Sequence, residues 1–202
     1  KSMKDLKEYF IEFINKVPSF GKSFICTDDK INSEIIKSIK NKNFYTYGQK
    51  ENANFIIKKI RQHKSFSNFD LTIKLPNKEN LNIKDIKIPL LGIHNIRNTV
   101  GAIGVALTVG IPIQKIKKGL KNFKGVQRRF NKIFSYNNID FYDDYAHHPT
   151  EIYELLKSTR AVYKTKKIIS VFQPHRISRL NSLKIKFTNC FKFSDQVLLC
   201  PI

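Results

Sequence analysis

Asp143-Asp144-Tyr145-Ala146-His147-His148-Pro149-Thr150-Glu151 brings two aspartates and two histidines within six residues, followed by a helix-starting proline and a glutamate. Before it, Phe130–Tyr136 and Ile139–Tyr142 read as strands joined by an Asn137-Asn138 turn. After it, Pro149–Val162 reads as a helix, Lys167–Phe172 as a strand, Ile177–Phe191 as a helix and Gln196–Leu199 as a strand. Strands alternating with helices predict a parallel α/β sheet. The segment then sits at a strand-to-helix junction, the edge at which open α/β sheets bind ligands. Acids and histidines are metal-ligating types, but sequence neighbours rarely converge on one ion, and no third ligand set is present. Hydrogen bonding to a ribose or a substrate is the preferred reading. Capping of the helix by Thr150 or a neighbour is the structural alternative, and it leaves His147 unexplained.

Toward the N-terminus the pattern differs. Met3, Leu6, Phe10, Phe13 and Val17 recur at helical spacing and predict an amphipathic helix over residues 3–16. Ser23–Thr27 suits a buried strand, Ile31–Ile39 a helix, and Phe44–Tyr47 a strand closed by Gly48. Asn54–Ile60, Asp70–Leu75 and Leu81–Pro89 are β-rich. The turn-rich Pro76-Asn77-Lys78-Glu79-Asn80 separates the last two, which read as a small antiparallel layer. Gly92–Val109 is small and apolar, as a helix packed closely on a sheet requires, and Pro112–Asn122 forms another helix with Pro112 near its first turn. A domain boundary is expected near residues 124–129.

Three further segments carry chemistry. In Gly92-Ile93-His94-Asn95-Ile96-Arg97-Asn98, a helix starting near Asn95 places Asn95 and Asn98 on one face. A carboxamide offers the donor and acceptor that match the N6/N7 edge of adenine. Asn95 serves equally well as a helix cap on the local pattern alone. In Gly125-Val126-Gln127-Arg128-Arg129-Phe130, paired arginines at the boundary suit a phosphate spanning two domains, or are simply solvated. In Phe172-Gln173-Pro174-His175-Arg176-Ile177-Ser178-Arg179, Arg176 and Arg179 lie three apart at a helix start and form a carboxylate or phosphate clamp. The alternative is surface arginines beside a capping Ser178.

Composition narrows the classes. The 202 residues are 41% hydrophobic, enough to bury a core in one large or two small domains. The net charge of +21 admits an acidic partner, but Lys, Asn and Ile recur throughout, as AT-rich coding favours, and no dense basic arm is present. The sixteen Phe fall in apolar patterns rather than between exposed Lys and Arg, which disfavours a nucleic-acid surface. No stretch has the apolar length of a membrane span. Cys26, Cys190 and Cys200 form no metal spacing and fit a reducing cytoplasm. Lys1-Ser2-Met3 is not a natural start and Pro201-Ile202 follows an apolar run, so both ends are expected to be cut from a longer chain.

Together, the four segments in this order and spacing resemble the Mur ligase family. The pattern GxHNxxN stands at Gly92 to Asn98, RRF at Arg128-Arg129-Phe130, DDYxHHPTE at Asp143 to Glu151 and FQPHRxxR at Phe172 to Arg179. The last form points to the member that adds L-alanine to UDP-N-acetylmuramate in peptidoglycan biosynthesis. The resemblance implies an α/β fold in which residues 1–127 are the late part of the central ATP-binding domain and 128–202 most of a Rossmann-like C-terminal domain. It implies that His94, Asn95 and Asn98 meet the adenine side of ATP. Arg129 and Asp144 are then catalytic and ATP-binding, and His147, Arg176 and Arg179 hold the alanine carboxylate. It also implies a cytoplasmic enzyme acting on small molecules, with neither membrane nor nucleic acid as partner.

The departures from the family pattern are as informative. The phosphate loop GxxGKT is absent, as are the N-terminal domain that holds UDP and the Glu and His that bind Mg²⁺, which are expected upstream of Lys1. The last part of the C-terminal domain is missing too. These residues alone are therefore expected to be inactive. The alternatives are a nucleotide-binding or regulatory module descended from such a ligase, and the related ligase that recycles murein tripeptide.

Overall fold

The computed structural model describes residues 2–123 and 125–201. Lys1, Ile202 and Lys124, the last of which falls in the expected boundary stretch, lie outside the described residues. The chain divides into two compact units, Lys1–Arg61 with Ser67–Ile88 and Asn95–Phe123, and Gln62–Phe66 with Pro89–His94 and Lys124–Ile202.

The first unit opens with helix α1 (Met3–Asn15). A capping box starts it: Asp5 N donates to Ser2 Oγ at 3.2 Å, and Ser2 N donates back to Asp5 Oδ2 at 2.8 Å. Its core face is not the one the periodicity selects. Ile14, supported by Ile11, packs on Ile25, Ile35 and Ile39, whereas Met3, Leu6, Phe10 and Phe13 stay largely exposed, Phe13 at 72%. Apolar residues cover two faces of this helix, so spacing alone does not identify the inward one.

Next come β1 (Ser23–Cys26), α2 (Lys30–Ile35), a 3-10 turn over Ile36–Ser38, β2 (Phe44–Gly48), β3 (Phe55–Gln62), β4 (Ser67–Ile73) and β5 (Leu81–Ile88). The expected helix 31–39 is thus a short α-helix that tightens before Ile39. The five strands form one sheet in chain order. β1–β2 and β2–β3 are parallel, with Ser23 opposite Phe44 and Tyr47 opposite Phe55, while β4–β5 is antiparallel, with Ser67 opposite Ile88. The antiparallel pair is therefore no separate layer but one side of a mixed sheet. The reason lies in β3, where Phe55, Ile56 and Ile57 are all buried, as an interior strand covered on both faces requires.

Helix α3 (Ile93–Thr108) follows, and its Ile96, Val100 and Ile103 are buried at helical spacing. Gly104 lies along this stripe, and a Cβ there would overlap the Phe24 ring of β1, so the small residue sets the close helix–strand approach. Each fully buried isoleucine is worth about 1.5–3 kcal/mol. Helix α4 (Ile113–Lys121) buries Ile116 and donates Lys117 Nζ to the Lys84 carbonyl of β5 at 2.9 Å.

In the second unit, β6 (Asn131–Tyr136) and β7 (Ile139–Asp143) form an antiparallel hairpin. Both turn residues, Asn137 and Asn138, take the positive φ that asparagine tolerates best. Helix α5 (Pro149–Val162), β8 (Ile169–Phe172), α6 (Ile177–Ser182), α7 (Lys184–Cys190) and β9 (Gln196–Leu199) complete the unit. β8 and β9 pair in parallel, with Ile169 opposite Gln196. The core is Ile152, Leu156 and Cys190, ringed by Phe172, Phe187 and Phe191. The single helix expected over 177–191 is broken at Leu183 (φ −120°, ψ 20°). Ser182 Oγ there donates to the Arg179 carbonyl at 3.2 Å, the local side-chain bonding that competes with helix continuation.

Candidate functional site

The candidate residues divide between the units. Asn95 and Asn98 belong to the first; His94, Arg129, Asp144, His147, Arg176 and Arg179 belong to the second.

Helix α3 begins at Ile93, so Asn95 lies in its first turn and is not its cap. Asn95 is half-buried and Asn98 exposed, one helical turn apart on the same side. The preceding Gly92 has a φ of +90°, and a Cβ there would lie 2.5 Å from His94 Cε1 and 2.8 Å from Ser158 Oγ. No other residue fits that turn without displacing His94.

Asp144 closes the loop between β7 and α5. Its Oδ2 accepts from Phe130 N at 2.8 Å and its Oδ1 from Ala146 N at 2.7 Å, so one carboxylate joins the Arg128-Arg129-Phe130 turn to the histidine loop. Burial raises its pKa above the ordinary aspartate value, although the two amides and the positive charges of Arg129 and His94 pull the other way. Arg128 and Phe130 both have positive φ (58° and 50°). Such conformations cost energy in non-glycine residues and mark places where a side chain is aimed rather than relaxed. Arg128 lies over the Tyr145 ring at 4.5 Å and 3.5 Å from Asp143, while Arg129 between the strained residues is exposed.

His147 Nδ1 lies 2.8 Å from the Tyr145 carbonyl. A carbonyl only accepts, so Nδ1 carries a proton and Nε2 is the ring atom left for a ligand. The capping alternative holds at a neighbour of Thr150, His148: Thr150 N donates to His148 Nδ1 at 3.2 Å. Glu151 Oε2 accepts from both His147 N (3.1 Å) and His148 N (3.2 Å). Burial opposes ionisation of Glu151, but these donors with the charges of His147 and Arg129 prevail and hold its pKa below the ordinary range. Burial, with the fields of Arg179, Lys186 and His147, lowers the His148 pKa against the pull of Glu151. His148 and Glu151 stand in the segment quoted from the sequence but were given no site role there; both position the loop and the start of α5. Their signal was the spacing of a capping residue and a glutamate three positions later, around a proline at the first helical position.

Arg176 and Arg179 start α6. Arg176 is exposed at φ 64°, and its carbonyl accepts from Arg179 N at 2.9 Å. The helix has six residues, so its dipole adds little to the arginines' own charge. Arg179 is half-buried, and its Nη1 is buried without an acceptor among the described residues. A buried guanidinium N–H with no partner is costly, and an anion placed against it would remove that cost. Among the described residues, no three His, Cys, Asp or Glu side chains converge to hold a metal ion, and no helix is long and apolar enough to cross a membrane. The described residues thus offer no complete set of side-chain ligands for Mg²⁺.

Comparison with known proteins gives these arrangements a context. The family model of the Mur ligase middle domain matches residues 1–106, and that of the Mur ligase glutamate ligase domain matches residues 128–201. The chain is 63% identical over 201 residues to the UDP-N-acetylmuramate–L-alanine ligase of Pelagibacter ubique, covering all of this chain and 43% of that protein. It is 42% identical to the enzyme of the same name from Brachyspira hyodysenteriae, again covering all of this chain and 42% of the relative. The fold superposes on the UDP-N-acetylmuramate–alanine ligase of Thermotoga maritima with a TM-score of 0.73 at 23% identity, over all of this chain and 42% of that one. The chain thus spans less than half the length of the curated relatives it matches.

Proposed function

This chain belongs to the Mur ligase family, and we propose that it forms part of a longer enzyme that joins L-alanine to UDP-N-acetylmuramate at the expense of ATP. Residues 1–127 serve as the late part of the central ATP-binding domain and 128–202 as most of the C-terminal ligase domain. The family matches over 1–106 and 128–201 support that division. The enzyme is proposed to work in the cytoplasm, where ATP is supplied.

The chemistry follows from a weak electrophile. A carboxylate does not accept an amine directly, so the γ-phosphoryl group of ATP passes to a muramyl carboxylate oxygen, giving an acyl phosphate and ADP. The alanine amine attacks the acyl carbon, the C–N bond forms, the amine proton is lost and the C–O bond to phosphate breaks. Asn95 and Asn98 present carboxamides to the adenine edge, with His94 beside them in sequence. Arg129 meets the ATP phosphates, where a guanidinium stabilises the charge that builds during transfer. Asp144 contributes by holding the Arg129 turn against the histidine loop and is assigned as an acid that meets the nucleotide. His147, Arg176 and Arg179 hold the alanine carboxylate and so aim its amine. A divalent cation bound with ATP would supply charge neutralisation at the phosphates, and none of the described side-chain clusters would hold it alone.

The observation that carries this reading is the unpartnered buried Nη1 of Arg179, whose charge also acts on His148 in the same unit. It supports an anion site at the strand-to-helix edge. The test is alanine-dependent phosphate release by the full-length protein with ATP and UDP-N-acetylmuramate. Arg176→Ala is expected to raise the KM for alanine far more than that for ATP, by about 1.5–3 kcal/mol for a lost charge-assisted contact. Equal effects on both substrates would overturn the clamp, and no alanine-dependent release by the wild type would overturn the activity.

A further inference from the structure

The first turn of α3 is fastened by a pair that none of the four motifs accounts for. Arg97 Nε donates to Asp28 Oδ2 at 2.8 Å, and Gln49 N donates to Asp28 Oδ1 at 2.8 Å. Asp28 follows β1 and Gln49 follows β2, so one carboxylate binds the ends of two adjacent parallel strands to the helix. The Asp28 side chain is only 7% exposed and that of Arg97 30%. Ionic pairs at that depth are screened less than surface pairs. The pair also resolves an electrostatic conflict. Arg97 lies in the first turns of α3, where the helix dipole disfavours a cation, and the Asp28 carboxylate offsets that cost. Gly48 leaves room for it, since a Cβ there would lie 2.5 Å from Asp28 Oδ1.

In sequence Arg97 lies between Asn95 and Asn98, and the helix turns it to a different side from theirs. We infer that Asp28 and Arg97 are positioning residues for the nucleotide: they lock the first turn of α3 so that the two carboxamides face the adenine in fixed register. This rests on the proposed adenine role of Asn95 and Asn98. The pair acts through those residues and touches no reacting atom. Ile96, fully buried in the same turn, anchors the helix radially; the ion pair fixes its rotation and axial position.

The test uses the full-length protein and two variants. Arg97→Met removes the cation but keeps the stem, and Asp28→Asn keeps an acceptor for Gln49 N while removing the charge. Loss of one charge-assisted contact is expected to raise the KM for ATP about tenfold in each variant. The KM values for UDP-N-acetylmuramate and alanine should stay within about twofold, and the preference for ATP over GTP should narrow. Arg97→Lys, which keeps a cation able to reach Asp28, should restore most of the ATP preference. An unchanged KM for ATP in a folded variant would overturn the inference. So would a uniform rise in all three KM values with a lowered Tm, which is the signature of structural damage alone. If the wild type binds no ATP, the adenine assignment itself fails, an outcome distinct from either of these.

Discussion

The start of α3 and the start of α6 are both places where polar side chains meet a ligand in the proposed reading, and they are built in opposite ways. At α3 the helix is long, Ile96, Val100 and Ile103 are buried beneath it, and Arg97 is held by Asp28. At α6 the helix has six residues, none buried, Arg176 sits at positive φ, and Arg179 keeps an unsatisfied nitrogen. The start of α3 is held by buried packing and an ion pair within the chain. The start of α6 keeps an unpaired buried donor, which in the proposed reading a carboxylate satisfies. A large nucleotide that offers many contacts is suited to a rigid edge, whereas a small amino acid offers few, and much of its affinity must come from relieving an unpaired charge.

Stability separates the two regions most sharply. Ile96→Ala is expected to cost about 2–5 kcal/mol, because it leaves a cavity under α3. Ile177→Ala in α6, where the side chain is 63% exposed, is expected to change stability by no more than about 0.5 kcal/mol. Urea midpoints of the two variants measure the contrast, and similar values would erase it.

The arginines sharpen the comparison through a trade-off. Arg179→Met should weaken alanine use by about 1.5–3 kcal/mol, read as KM. The same substitution removes a buried donor with no acceptor, so the urea midpoint of the ligand-free protein should hold or rise. A clear fall in that midpoint would mean that Arg179 is already satisfied and is no waiting clamp.

The smallest effect concerns the cap of α5. His148 must be neutral for Nδ1 to accept from Thr150 N, and its folded pKa is depressed. The stability this cap contributes is therefore fully present above the unfolded value of about 6.5 and is lost as pH falls through the lower folded value. Loss of an N-cap side-chain hydrogen bond typically costs about 1 kcal/mol. His148→Asn, which caps without titrating in this range, should flatten the stability profile between pH 7 and pH 5, as thermal melts would read.

Much of this organisation was legible in the residues alone. The small stripe through Gly101 and Gly104 foretold a helix close on a strand, and the Asn137-Asn138 pair foretold a tight hairpin, because both rest on steric rules that act locally. The inward face of α1 was not legible, since two apolar stripes compete and only tertiary packing selects Ile11 and Ile14. Nor was the merging of β3 and the β4–β5 pair into one sheet, which depends on partners distant in sequence. In the candidate site, side-chain types and spacing exposed the four segments. Non-glycine residues forced to positive φ at Arg128, Phe130 and Arg176 carry no compositional mark. The Asp28–Arg97 pair spans 69 positions, beyond the reach of any local pattern.

The Asp144 carboxylate has a kinetic consequence. Because one carboxylate accepts from the amides of both Phe130 and Ala146, turning Asp144 away uncovers both N–H groups at once. In deuterium oxide a ligand that draws Asp144 toward itself should speed exchange at both amides.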